Sequence, residues 1–133
     1  MINNLIKVFY FSILVFLASC SNPTEVRTVN NIDFDWRFIK TDSIFDGSSI
    51  ILNDSTWRLL DLPHDWAIED SVKKDNPSSE SGGYFGGGIA WYRKSLFIPE
   101  RYISKNILLT FDGIYMIADI YVNGKKIGIQ SNG

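Results

Sequence analysis

Apolar and polar positions along this chain alternate with a period of two in several short stretches, and turn-forming residues separate them. Phe34-Asp35-Trp36-Arg37-Phe38 alternates strictly, the signature of a half-buried strand. Trp57 to Leu62 predicts a second short strand, entered through the turn formers Asn53-Asp54-Ser55-Thr56. A third is expected from Trp91 to Ile98, where Pro99 stops it. Ile107-Leu108-Leu109-Thr110-Phe111 is apolar almost throughout and predicts a strand near the centre of a core. Met116 to Val122 and Lys125 to Ile129 flank Asn123-Gly124, and Asn-Gly between two such runs is a strong hairpin signal because both central positions of a type I′ turn need positive φ. After Cys20 no stretch longer than about ten residues carries a helical period. About six short strands with aromatic residues on their inner faces predict an all-β sandwich or jelly roll.

The first twenty residues follow a different pattern. Lys7 precedes an almost wholly apolar run from Val8 to Ala18, too short to cross a hydrocarbon core of about 30 Å as a helix. It ends in Leu17-Ala18-Ser19-Cys20, small residues leading to the single cysteine. This resembles a bacterial lipoprotein signal, with residues 1–19 removed and Cys20 acylated, and that reading is favoured over an ordinary signal peptide. Residues 20–30, polar and containing Pro23, read as a tether, and residues 31–133 as one domain. The expected location is the bacterial cell envelope, with a lipid anchor on Cys20 holding the domain to a membrane.

Two stretches hold the candidate chemistry. Leu62-Pro63-His64-Asp65-Trp66 sets a proline, a histidine, a carboxylate and an indole side by side, and a long polar loop, Glu69 to Gly88, runs from there to Gly86-Gly87-Gly88 and Trp91-Tyr92-Arg93-Lys94. His64 is the only histidine, without the partners a zinc site needs, and reads more readily as a structural hydrogen-bonding group than as a catalyst. The glycine cluster lacks the G-K-[S/T] ending of a phosphate loop, and a strand follows it where a helix N-terminus is required. Its glycines suit either a tight connection or the border of a sugar site. Trp66, Trp91, Tyr84 and Tyr92 offer aromatic faces to the C–H patches of sugars, although for strand tryptophans the core is the better assignment. Asp65 is the carboxylate expected to bond a sugar hydroxyl or a backbone N–H. With a net charge of −2 the chain has no basic footprint for nucleic acid. Apolar residues at 45% are enough to build a core.

Taken together, L-P-H-D-W, the glycine cluster with W-Y-R-K, and Phe111-Asp112-Gly113-Ile114-Tyr115 with Val122-Asn123-Gly124 resemble the N-terminal sugar-binding domain of glycoside hydrolase family 2, in its bacterial β-galactosidase-like subgroup. The resemblance covers residues 31–133. It implies a jelly-roll β-sandwich like other galactose-binding domains, incomplete at its C-terminus because similar members continue beyond Ser131-Asn132-Gly133, with part of its apolar face uncovered. It also implies a carbohydrate partner, for which Asp65, Trp66 and Tyr84 are the candidate contacts; neither metal nor other cofactor is expected. In the family the two catalytic glutamates stand on a (β/α)₈ barrel, a separate domain of about 250 residues, so this chain by itself is expected not to hydrolyse glycosides. A stand-alone carbohydrate-binding surface lipoprotein and a relic fragment remain the alternatives.

Overall fold

The computed structural model describes residues 27–41 and 44–131; the signal segment and Cys20 lie outside these. The chain divides between Asn30 and Asn31. Residues 27–30 have no regular structure, and every strand and turn described below lies in the unit Asn31–Gly133.

Among the described residues there are five strands: β1 Trp36–Thr41, β2 Arg58–Leu60, β3 Ile89–Arg93, β4 Ala118–Val122 and β5 Lys125–Gln130. They form two antiparallel sheets, one ordered β2-β1-β3 and the other the β4-β5 hairpin. The only helical pieces among the described residues are 3₁₀ turns at Trp66–Glu69 and Glu100–Tyr102. The fold is that of an all-β sandwich, as the alternation predicts. The hairpin turns at Asn123 and Gly124, with φ of 49° and 78°, the left-handed pair that a type I′ turn demands. Trp91 of β3 meets Tyr121 of β4 with ring centroids 5.5 Å apart, which joins the two sheets.

Strand limits differ from the sequence expectation for identifiable reasons. Asp35 sits at φ 58° with its N–H bonded to Asp61 Oδ1 at 2.9 Å, so the first strand starts at Trp36 and not at Phe34. Because Arg37 pairs with Arg93, the turn at Asp35 also removes the partner that Ser95 would need to carry β3 on to Ile98. Trp57 leaves the second strand to enter the core. The strand expected over Ile107–Phe111 is absent. Ile107, Leu108 and Leu109 are 56%, 75% and 43% exposed, and among the described residues no strand pairs with this run, so its faces are only partly covered.

The three-stranded sheet carries two small clusters. On one face Phe38, 7% exposed, lies opposite Tyr92 on β3 and Arg58 on β2, and the ring of His64 packs edge-on against it at 4.8 Å. On the other, Arg37 and Arg93 hold down the loop that follows β1. Arg93 bonds the Ser49 carbonyl at 2.9 Å, pairs with Asp54 at 3.3 Å and lies over the Trp57 ring, while Arg37 donates to the Trp57 carbonyl at 3.3 Å. Phe38 and Trp57 are the buried hydrophobic side chains of the described residues. Many others stay exposed, among them Phe97, Leu108, Tyr115 and Ile117, so the uncovered apolar surface expected from the sequence is present.

Candidate functional site

The site grows out of the corner between β2 and the 3₁₀ turn Trp66–Glu69. Leu62 donates its N–H to the Asp33 carbonyl at 2.8 Å, which ends β2 beside the start of β1. The chain then passes Pro63 through a cis peptide bond and reaches His64. Asp65, extended at φ −122°, caps the 3₁₀ turn by accepting the Ala67 N–H at 2.9 Å. Of the two partners expected for this carboxylate, the backbone N–H is therefore present. The remainder of the Asp65 side chain faces outward.

His64 is engaged at both ring nitrogens. Nδ1 lies 2.7 Å from the Tyr92 hydroxyl and Nε2 lies 3.1 Å from Glu69 Oε1. Glu69 is gripped by Arg58 through two parallel bonds of 2.6 and 2.7 Å, the fork geometry that suits guanidinium and carboxylate. These partners hold Glu69 at a pKa of about 2, below its ordinary 4.5, with the Arg58 hydrogen bond the larger cause and the His64 bond the next. Tyr92 is pushed up to about 12, first by burial and then by the negative charges of Asp65 and Glu69. His64 is thus a hydrogen-bonded group, with Tyr92 and Glu69 as its partners.

Because the folded Glu69 is the stronger acid, its contribution to stability is present above pH 4.5 and fades as pH falls towards about 2. The pair is largely solvated, which keeps the effect small. An acid titration followed by tryptophan fluorescence is expected to show a shallower loss of stability between these values in Glu69→Gln than in the unaltered chain. Equal slopes would mean that Glu69 is free in solution.

Trp66 is half-buried, with the Lys40 ammonium over its ring at 4.7 Å. Lys40 is itself paired with Asp70. A cation therefore covers part of the indole, which leaves less of it for a sugar than the sequence suggests. Asp70 in turn crowds Gly86: a Cβ added there would lie 2.7 Å from both Cβ and Cγ of Asp70. At this position the glycine cluster is a close-approach device that ties the loop back to Lys40. β3 begins at Ile89, directly after Gly88, so the cluster feeds a strand and not a helix.

Tyr84 belongs to a separate knot within the loop. Its N–H bonds the Ser79 carbonyl at 2.8 Å, and its carbonyl accepts from Asn76 Nδ2 at 2.7 Å and from the Lys73 N–H at 3.3 Å. The corner thus assembles Asp65 and Trp66 with His64, Glu69, Arg58 and Tyr92. The bonds of Tyr84 run to residues 73–79. Among the described residues no group of three or more His, Cys, Asp and Glu side chains is arranged to hold a metal ion.

Comparison with known proteins adds lineage. No family model matches the chain. A putative β-glucuronidase of Formosa agariphila is 38% identical over 122 residues, which covers 91% of this chain and 12% of that protein. A β-galactosidase of Bacteroides ovatus is 38% identical over 119 residues, covering 88% of this chain and 14% of the relative. Among solved structures, a β-glycosidase from Bacteroides vulgatus superposes with a TM-score of 0.71 at 36% identity, over 77% of this chain and 14% of that one. The chain thus spans about an eighth of the length of these relatives. With three ordered motifs, an all-β fold and these matches in agreement, the chain belongs to glycoside hydrolase family 2, as its N-terminal sugar-binding domain.

Proposed function

We propose that residues 31–133 serve a longer, lipid-anchored β-glycosidase by forming one wall of its glycan pocket, with Asp65, Trp66 and Tyr84 towards the sugar. Cys20 is its acylation site and the bacterial cell envelope its location. The observation that carries this reading is the proportion of the matches: the relatives are named as β-glucuronidases and β-galactosidases, and nearly all of this chain aligns with 12–14% of their length. The apolar side chains left exposed support it as well, because a domain that packs against further polypeptide presents such a surface. Hydrolysis with retention requires two carboxyl groups about 5–5.5 Å apart. Glu69, committed to Arg58 and His64, is poorly suited to be one of them. Catalysis is assigned to a barrel outside these residues.

Expression of the 133-residue chain in a bacterium tests both parts. Palmitate label is expected on the protein and lost in Cys20→Ser, and purified residues 21–133 are expected to release no nitrophenol from nitrophenyl β-galactoside or β-glucuronide. Label retained by the Cys20→Ser protein would remove the anchor, and turnover by residues 21–133 would remove the division of labour.

A further inference from the structure

We infer that His64 is a positioning residue: held as the Nε2–H tautomer, it links Tyr92 to the Glu69–Arg58 pair and so fixes the direction in which Asp65 and Trp66 face a sugar. The role rests on the reading of Asp65 and Trp66 as sugar contacts; the tautomer does not.

The tautomer is set by what each neighbour can offer. Both oxygens of Glu69 already accept from Arg58, so Glu69 is an ionised carboxylate and has only lone pairs to give. The hydrogen in the 3.1 Å contact must then sit on His64 Nε2. In the neutral ring this leaves Nδ1 as an acceptor, and at 2.7 Å the Tyr92 hydroxyl is the donor that fills it. The side chain is only 10% exposed, so water is a poor substitute for either partner. Phe38 presses on the ring from β1 at 4.8 Å and stops it from turning over. Three strands and the 3₁₀ turn therefore converge on one imidazole: Phe38 from β1, Arg58 from β2 through Glu69, and Tyr92 from β3.

The consequence falls on the residues between. Asp65 and Trp66 lie in the span from His64 to Glu69, and both ends of that span are fastened to the same relay. Within the span the links are the Asp65 cap on Ala67 and the Lys40 ammonium over Trp66, which shape the turn without anchoring it to β2 or β3. The relay supplies that anchorage.

His64 is the chain's only histidine, so ring ¹⁵N spectroscopy of the full chain reads it without ambiguity. Nε2 is expected to appear protonated and Nδ1 as an acceptor; the opposite tautomer, or averaging of the two, would overturn the relay. His64→Ala is then expected to shift the Asp65 and Trp66 amide resonances and to weaken binding of a β-galactoside or β-glucuronide on the order of tenfold, the loss of a hydrogen bond to a charged group. His64→Gln, whose amide can still donate to Glu69, is expected to recover much of both. Unchanged glycan affinity in His64→Ala would overturn the positioning role, even with the tautomer as expected. If the unaltered chain binds neither glycan, the sugar reading fails and the positioning role with it, and the tautomer stands on the spectrum alone. Should the alanine variant not fold, the tautomer and the glutamine variant still decide the matter.

Discussion

Phe38→Ala is expected to lower the stability of the Asn31–Gly133 unit by about 3–5 kcal/mol, the usual cost of truncating a buried phenylalanine to alanine. Phe38 is one of two buried hydrophobic side chains among the described residues, so no second layer stands ready to take over its work. Its ring also supports two others, His64 at 4.8 Å and Tyr92 at 5.0 Å, and the Arg58 guanidinium lies 5.9 Å from its centroid. Removing it therefore leaves a cavity beneath a network of polar groups whose partners it aligns. Marginal domains have only about 5–15 kcal/mol in total, so the variant should be largely unfolded at about 37 °C or shift its urea midpoint strongly. A loss below about 1 kcal/mol would place Phe38 outside any working core.

The second large effect is expected at Gly47. It is buried beneath Trp91, and a Cβ built on it would lie 2.6 Å from Cγ and 2.7 Å from Cε3 of that indole. No real Cβ tolerates such distances, and an indole wedged between this loop and Tyr121 has little room to retreat. Gly47 is not among the glycines with positive φ, so the backbone itself would accept alanine and the cost is steric alone. Gly47→Ala should cost about 1–3 kcal/mol, as overpacking does, and should alter the Trp91 fluorescence. Gly113→Ala is the control, since a Cβ there meets nothing within 4 Å. Equal behaviour of the two variants in urea would contradict the seat of Trp91 against the loop.

Much of this architecture can be read from local pattern. The hairpin around Asn123-Gly124 is legible because turn chemistry and alternation coincide within a dozen residues. β1 and β3 are legible in kind, and their limits are not, because the end of each is set by Asp35, whose left-handed backbone is held by Asp61 across a sequence gap. Ile107–Phe111 misleads for the opposite reason: an apolar run states a need for cover without saying whether the described residues supply it. The motif L-P-H-D-W marks the corner after β2 and gives Asp65 and Trp66 a common place. It is silent on Arg58 and Tyr92, which reach His64 from two other strands. The grip of Arg58 on Glu69 spans eleven residues and leaves no trace in spacing or composition. Tyr84 lies within the loop that follows Trp66, and its bonds to Asn76 and Ser79 are loop geometry that no period announces.

The two sheets also differ in how far the chain must travel to make them. β4 and β5 are joined by two residues, Asn123 and Gly124, so their ladder closes almost no loop. β1 and β3 pair Thr41 with Ile89 at the nearer end of their register and Arg37 with Arg93 at the farther, enclosing β2, the His64 corner and the glycine cluster between them. Loop-closure entropy is charged before any of those contacts returns stabilisation, and hairpins form in about 1–10 μs while non-local pairings are slower. During folding, the hairpin can therefore exist while the corner that holds His64 is still open. Asp65 and Trp66 are among the last residues to find their places, because they wait on the pairing of β3 with β1.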